Sequence, residues 1–161
     1  MGNSCNAKKP MQVTTSSLCT TEAATGTHNF VVMNYSLLDG IGHGKCVTSS
    51  TFSVGGHDWC IKFYPDGDGR EPGYAGAFLC PCGGVPETGV RVNYTLSLRR
   101  QDGEVHGCST PLTAIYTFTS GDKGRGITKL IKKSYLRLDR FTIMCDLTVV
   151  QDTIVKMMIP N

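Results

Sequence analysis

The sequence lacks any run of about eighteen uninterrupted apolar residues, the length a membrane helix needs. Its opening MGNSCNAKKPMQ has no apolar centre of the kind a secretory signal requires. The expectation is a soluble, unsecreted protein of the nucleus or cytoplasm, with no membrane partner. Charge is scarce too. Only 18% of the 161 residues are charged and the net charge is +3, too small by itself to imply a polyanion partner, so no nucleic acid is expected. There is no Gly-x-Ser-x-Gly elbow, and the carboxylates are scattered through turns without an acid–base pair. No catalytic residue is assigned, and an enzyme is not expected.

What the chain does have is turns. Nineteen glycines and seven prolines join short elements, which favours an all-β domain. Period-two alternation marks strands with one face buried and the other wet. Val90, Val92, Tyr94, Leu96 and Leu98 alternate with polar residues, as do Phe141, Ile143, Cys145, Leu147 and Val149. His57 to Tyr64 puts Trp59, Ile61 and Phe63 on one side; Phe30–Tyr35, Thr51–Val54, Gly76–Pro81 and Ile115–Thr119 are further candidates. Turn chemistries such as Asp39-Gly40, Gly55-Gly56 and Pro65-Asp66-Gly67 punctuate them. Seven to eight strands at this spacing predict an antiparallel β-sandwich. One segment keeps another rhythm: Ile127, Leu130, Ile131, Tyr135 and Leu138 recur at three- and four-residue steps and predict one short amphipathic helix. Residues 1–24, rich in Ser, Thr, Ala and Lys, read as a flexible leader.

Five features could carry chemistry. The run from Asp39 to Cys46 is glycine-rich, but it lacks the Gly and Ser/Thr positions of a phosphate loop and reads as a turn. His43 with Cys46 and His57 with Cys60 share a spacing that could supply zinc ligands. Residues three apart on a strand point to opposite faces, so no metal and no cofactor is assigned. The eight cysteines sit mostly within apolar runs and read as small buried thiols. The segment Asp122–Arg140 carries seven basic residues against two acidic ones. It reads as a solvated face, with a nucleic-acid or anionic-surface contact through Lys129, Lys132 and Lys133 as the sharper alternative. At the N-terminus Met1 to Asn6 nearly matches an acylation signal, with Asn6 where Ser or Thr is usual.

The runs THNFVVMNYS (Thr27–Ser36), GKCVTSSTFSVGGHDW (Gly44–Trp59) and FYPDG (Phe63–Gly67), closed by FTIMCDLTVV (Phe141–Val150), resemble the MATH (meprin and TRAF homology) domain. The likeness is closest to plant MATH-BTB proteins and extends more distantly to proteins of the speckle-type POZ kind. It covers about residues 25–155, leaving 156–161 as a tail where a linker to a BTB domain would begin. The resemblance implies a TRAF-like β-sandwich that holds short Ser/Thr-rich segments of substrate proteins as an added strand, a substrate-recognition adaptor for cullin-3 ubiquitin ligases in the protein ubiquitination pathway. Carried over by position, its peptide-binding residues are Phe78, Tyr94, Tyr116, Lys123, Arg125, Gly126 and Ile127. Arg125-Gly126-Ile127 stands where the family places Trp-Gly-Phe or Trp-Gly-Tyr, so one groove wall is altered. No BTB domain lies within these 161 residues, so the expectation is either a shortened family member or a sequence that stops before its BTB domain. Its partnership is then an indirect one with cullin-3 through MATH-BTB relatives, or that of a stand-alone protein that competes with those relatives for substrates.

Overall fold

A computed structural model of the chain describes residues 2, 8–109, 114–136 and 139–160. Apart from Gly2, the acylation motif at residues 1–6 lies outside them, as do positions 137–138 of the expected helix. The described residues form ten strands: β1 Ser16–Met33, β2 Val47–Thr48, β3 Phe52–Val54, β4 His57–Tyr64, β5 Tyr74–Cys82, β6 Val90–Arg100, β7 Val105–Ser109, β8 Tyr116–Phe118, β9 Arg125–Lys132 and β10 Arg140–Met158. They pair antiparallel into two sheets. One runs β1-β10-β6-β7 with β8 also on β6; the other runs β2-β4-β5-β9 with β3 also on β4. All seven strand segments expected from alternation fall on strands, although Tyr35 itself opens a 3-10 turn.

The alternating residues close the two sheets over one another. Trp59, Ile61 and Phe63 of β4 and Ala75, Ala77 and Leu79 of β5 are fully buried against Val92, Leu96 and Leu98 of β6 and the odd-numbered residues Phe141 to Val149 of β10. Aromatic edges meet faces through this layer, with Trp59 on Phe118 at 5.3 Å and Phe63 on Phe141 at 5.5 Å between centroids. The Trp59 indole N–H donates to the Val54 carbonyl at 3.3 Å, so its one polar atom is satisfied.

Two expectations need correction. Arg125–Lys132 is a strand, and only Lys133–Tyr135 turns, as a single 3-10 turn. The helical rhythm comes from a bulge: Ala75 pairs with Ile131 but Ala77 pairs with Ile127, so four steps on β9 answer two on β5. In an unbroken strand Lys129 would face in with Ile127 and Ile131. The bulge turns Lys129 out and Leu130 in, which imitates a three- and four-residue period. Second, the stretch expected to be a leader supplies Ser16–Ala24 to β1, and Lys156–Met158 of the expected tail belong to β10. Ser16–Ala24 pairs along Val149–Met158 of β10, and nearly all the side chains of Ser16–Ala24 and Lys156–Met158 stay exposed, so no buried face imprinted a period on them.

The glycine-rich run does gather backbone amides round an anion, but the anion is the chain's own Asp66. Gly40 and Gly42, both at positive φ, donate to its carboxylate at 3.1 and 2.7 Å. Lys133 binds it at 2.5 Å and Asp39 at 2.7 Å, so this buried carboxylate fastens the loop to the 3-10 turn after β9. Burial alone would raise the Asp66 pKa; the Lys133 ammonium and the two amides outweigh that and hold it at about 2, below the ordinary 3.8. A depressed folded pKa gives stability that is complete above pH 4 or so and is lost as pH falls toward 2. Denaturant unfolding at pH 5 and at pH 2.5 is therefore expected to show the parent losing on the order of 2 kcal/mol more than Asp66→Asn over that interval. Equal losses would mean that Asp66 is not the titrating anchor.

Candidate functional site

The second sheet ends on β9, and among the described residues no other strand is hydrogen-bonded to its outer edge. This edge runs close to β6 and β7 of the opposite sheet. Six of the seven residues carried over as peptide-binding lie on or beside it, on its two faces.

On the outer face stands Phe78. Its neighbours Ala77 and Leu79 point into the core, so alternation turns the phenyl ring outward, where it is partly exposed. Phe78 meets Tyr64 edge to face at 5.4 Å, and the Arg70 guanidinium lies 5.6 Å from its ring centre. These residues, with Lys62, Asp68, Cys80 and Lys123, line a shallow depression of about 360 Å³. Directly across the ladder from Phe78 is Gly126. A Cβ there would fall 2.6 Å from the Phe78 Cα, so glycine is required by close approach of the two backbones. Because Gly126 has no side chain, the ring is reachable from the free edge.

The other face looks into the mouth between the sheets. Arg125 lies over the Tyr116 ring at 3.7 Å from its centre, and Ile127 packs on the rim of the core. Tyr116 pairs with Val92 and shares the inner face of the first sheet with Tyr94. Tyr94 is only 8% exposed and belongs chiefly to the core, so it offers a partner little surface. The structure thus brings Tyr116, Arg125 and Ile127 together, sets Phe78 and Lys123 on the opposite face with Gly126 between, and leaves Tyr94 behind them.

Burial pushes the Cys80 thiol up to about 11 and the Cys60 thiol to about 12. Both are protonated near neutral pH and are poor nucleophiles. The depression is suited to contact rather than to thiol chemistry. Sequence reasoning missed Lys62, Tyr64 and Arg70. The first two were legible as the polar side of the alternation Trp59, Ile61, Phe63; Arg70 sits in a turn and carries no such signal.

An all-β sandwich with an open edge strand and a partly exposed aromatic beside it defines a protein-interaction module. The MATH domain model matches residues 27–147, and the chain belongs to that family. Among its relatives, BTB/POZ and MATH domain-containing protein 4 of Arabidopsis thaliana is 41% identical over 99 residues, covering 62% of this chain and 21% of that protein. BTB/POZ and MATH domain-containing protein 3 of the same plant is 33% identical over 144 residues, covering 81% of this chain and 35% of that protein. The chain therefore matches only about a fifth to a third of the length of these relatives.

Proposed function

We propose that this chain binds short, extended Ser/Thr-rich segments of target proteins along the free edge of β9, as the substrate-recognition part of cullin-3-linked ubiquitination in the nucleus or cytoplasm. The observation that carries the reading is the edge itself. A strand added there would take backbone hydrogen bonds from β9 and send alternate side chains to the two faces, one set over Gly126 toward Phe78, the other toward Tyr116 and Arg125. Backbone pairing supplies affinity without regard to sequence; the two side-chain surfaces supply choice. The adaptor role draws its support from relatives whose names join BTB/POZ to MATH.

The test is titration with a library of Ser/Thr-rich peptides. Phe78→Ala is expected to weaken the best binder by about fivefold to thirtyfold, the effect of losing an anchor worth roughly 1–2 kcal/mol. Unchanged affinity would remove Phe78 from the site. Co-purification with cullin-3 in the presence of a BTB-bearing relative tests the adaptor role separately, and its absence would leave a peptide binder that does not reach the ligase.

A further inference from the structure

The depression beside Phe78 is cationic. Lys62, Arg70 and Lys123 line it, and the one carboxylate among its lining residues, Asp68, is already bound to Arg70 through Nε at 2.6 Å and Nη2 at 2.5 Å. Lys62 and Lys123 have no carboxylate within 4 Å among the described residues, and neither has Arg125 on the other face of the edge. Asp122, the acidic neighbour nearest in sequence to Lys123, accepts the Thr119 amide at 2.7 Å and its hydroxyl at 3.2 Å. A strand added about 4.8 Å from β9 would have cations within side-chain reach on both of its faces.

We propose that the segment this edge prefers is acidic: an extended peptide carrying Asp, Glu or phosphorylated Ser/Thr beside its apolar anchor. This rests on the edge-binding reading above and adds the ligand's charge to it. The unpaired ammonium groups of Lys62 and Lys123 gain a counterion on binding, and Arg125 offers a forked donor where relatives with Trp would offer an indole. A peptide fits better than a nucleic acid for two reasons. The edge offers amides and carbonyls in strand register, which only a polypeptide backbone matches. The basic residues from 122 onward do not form a continuous stripe, because Lys129 is paired with Glu71 at 3.6 Å and Lys133 is consumed by Asp39 and Asp66.

The experiment compares four ligands by fluorescence anisotropy on the intact chain: a neutral Ser/Thr-rich peptide, the same peptide with two residues changed to Asp or Glu, the same with two phosphoserines, and a single-stranded oligonucleotide. One or both acidic peptides are expected to bind about tenfold tighter than the neutral one at low salt, with the gap narrowing as salt rises. Gain with phosphoserine alone identifies phosphorylated segments as the source of charge; gain with both means that carboxylates suffice. Lys62→Glu combined with Lys123→Glu is expected to abolish or reverse the preference for the acidic peptides over the neutral one, read as the ratio of the two affinities in the same variant. Lys123→Gln, which introduces no new charge, should reduce the preference in part and guards against misfolding of the double variant. If the neutral peptide binds as well as the acidic ones, the charge inference is overturned and the edge reading stands. If no peptide binds, both fall; if the oligonucleotide binds tighter than every peptide, the ligand class is wrong.

Discussion

Trp59→Ala is expected to destabilise the domain by roughly 3–5 kcal/mol, the cost of deleting a buried aromatic and leaving its cavity. Against a total stability on the order of 5–15 kcal/mol, that is enough to leave much of the protein unfolded at physiological temperature. The size of the effect follows from the position. Trp59 is fully buried, spans from β4 to the Phe118 ring of the opposite sheet, and carries its own hydrogen bond to Val54. Trp59→Phe keeps most of the contact and loses the hydrogen bond, so it should fall between parent and Ala. Because Trp59 is the only tryptophan, urea unfolding has to be followed by far-UV circular dichroism rather than indole emission. A shift of less than about 1 kcal/mol for Trp59→Ala would mean that the two sheets do not close over this ring.

The same ring shows what was legible in the sequence. Strands buried on one face announce themselves, since β4, β6 and the first half of β10 each write their core residues at every second position. Strands without that constraint do not. Ser16–Thr21 pairs with Thr153–Met158 through the backbone ladder and a Thr21–Thr153 hydroxyl contact at 2.8 Å; nearly all these side chains are exposed, and composition suggested a leader. In β9 a bulge altered the phase, and the resulting rhythm predicted a helix. The site shows a similar division. Resemblance alone brought Phe78, Tyr116, Arg125 and Gly126 onto the list, but it could not say that Phe78 lies on the opposite face of the edge from Tyr116, nor that Tyr94 is nearly closed off by the core. Those facts depend on which way each residue points from its strand, and the phase of β9 was the one the bulge disguised. The cations round Phe78 were hidden for a different reason: Lys62, Arg70 and Lys123 are far apart in sequence and meet only when β4, the turn before β5 and the loop before β9 converge.

Gly126→Val is the substitution expected to damage binding most. A Cβ at this position would overlap the Ala77 carbonyl oxygen and lie 2.6 Å from the Phe78 Cα and 2.9 Å from the Ala77 carbonyl carbon. All three are backbone atoms, so no rotamer change relieves the overlap, and β9 has to separate from β5 between Ala77 and Leu79. The stability cost should be about 1–3 kcal/mol, within reach of the folded range. The cost to function should be larger in proportion. Displacing β9 moves the edge that would accept the peptide backbone, and the added valine fills the gap through which a ligand side chain would reach Phe78. Peptide affinity is therefore expected to fall by about a hundredfold or more, beyond what the loss of Phe78 alone would do. Gly84→Ala makes a fair control, since nothing lies within 4 Å of a Cβ there and its φ is not positive; its stability should stay within about 0.5 kcal/mol of the parent. Isothermal titration of both variants below their melting temperatures separates a lost site from a lost fold. Parent-like affinity in a folded Gly126→Val protein would show that the ligand does not use this edge, because no strand can dock in register on a β9 that its own sheet has released.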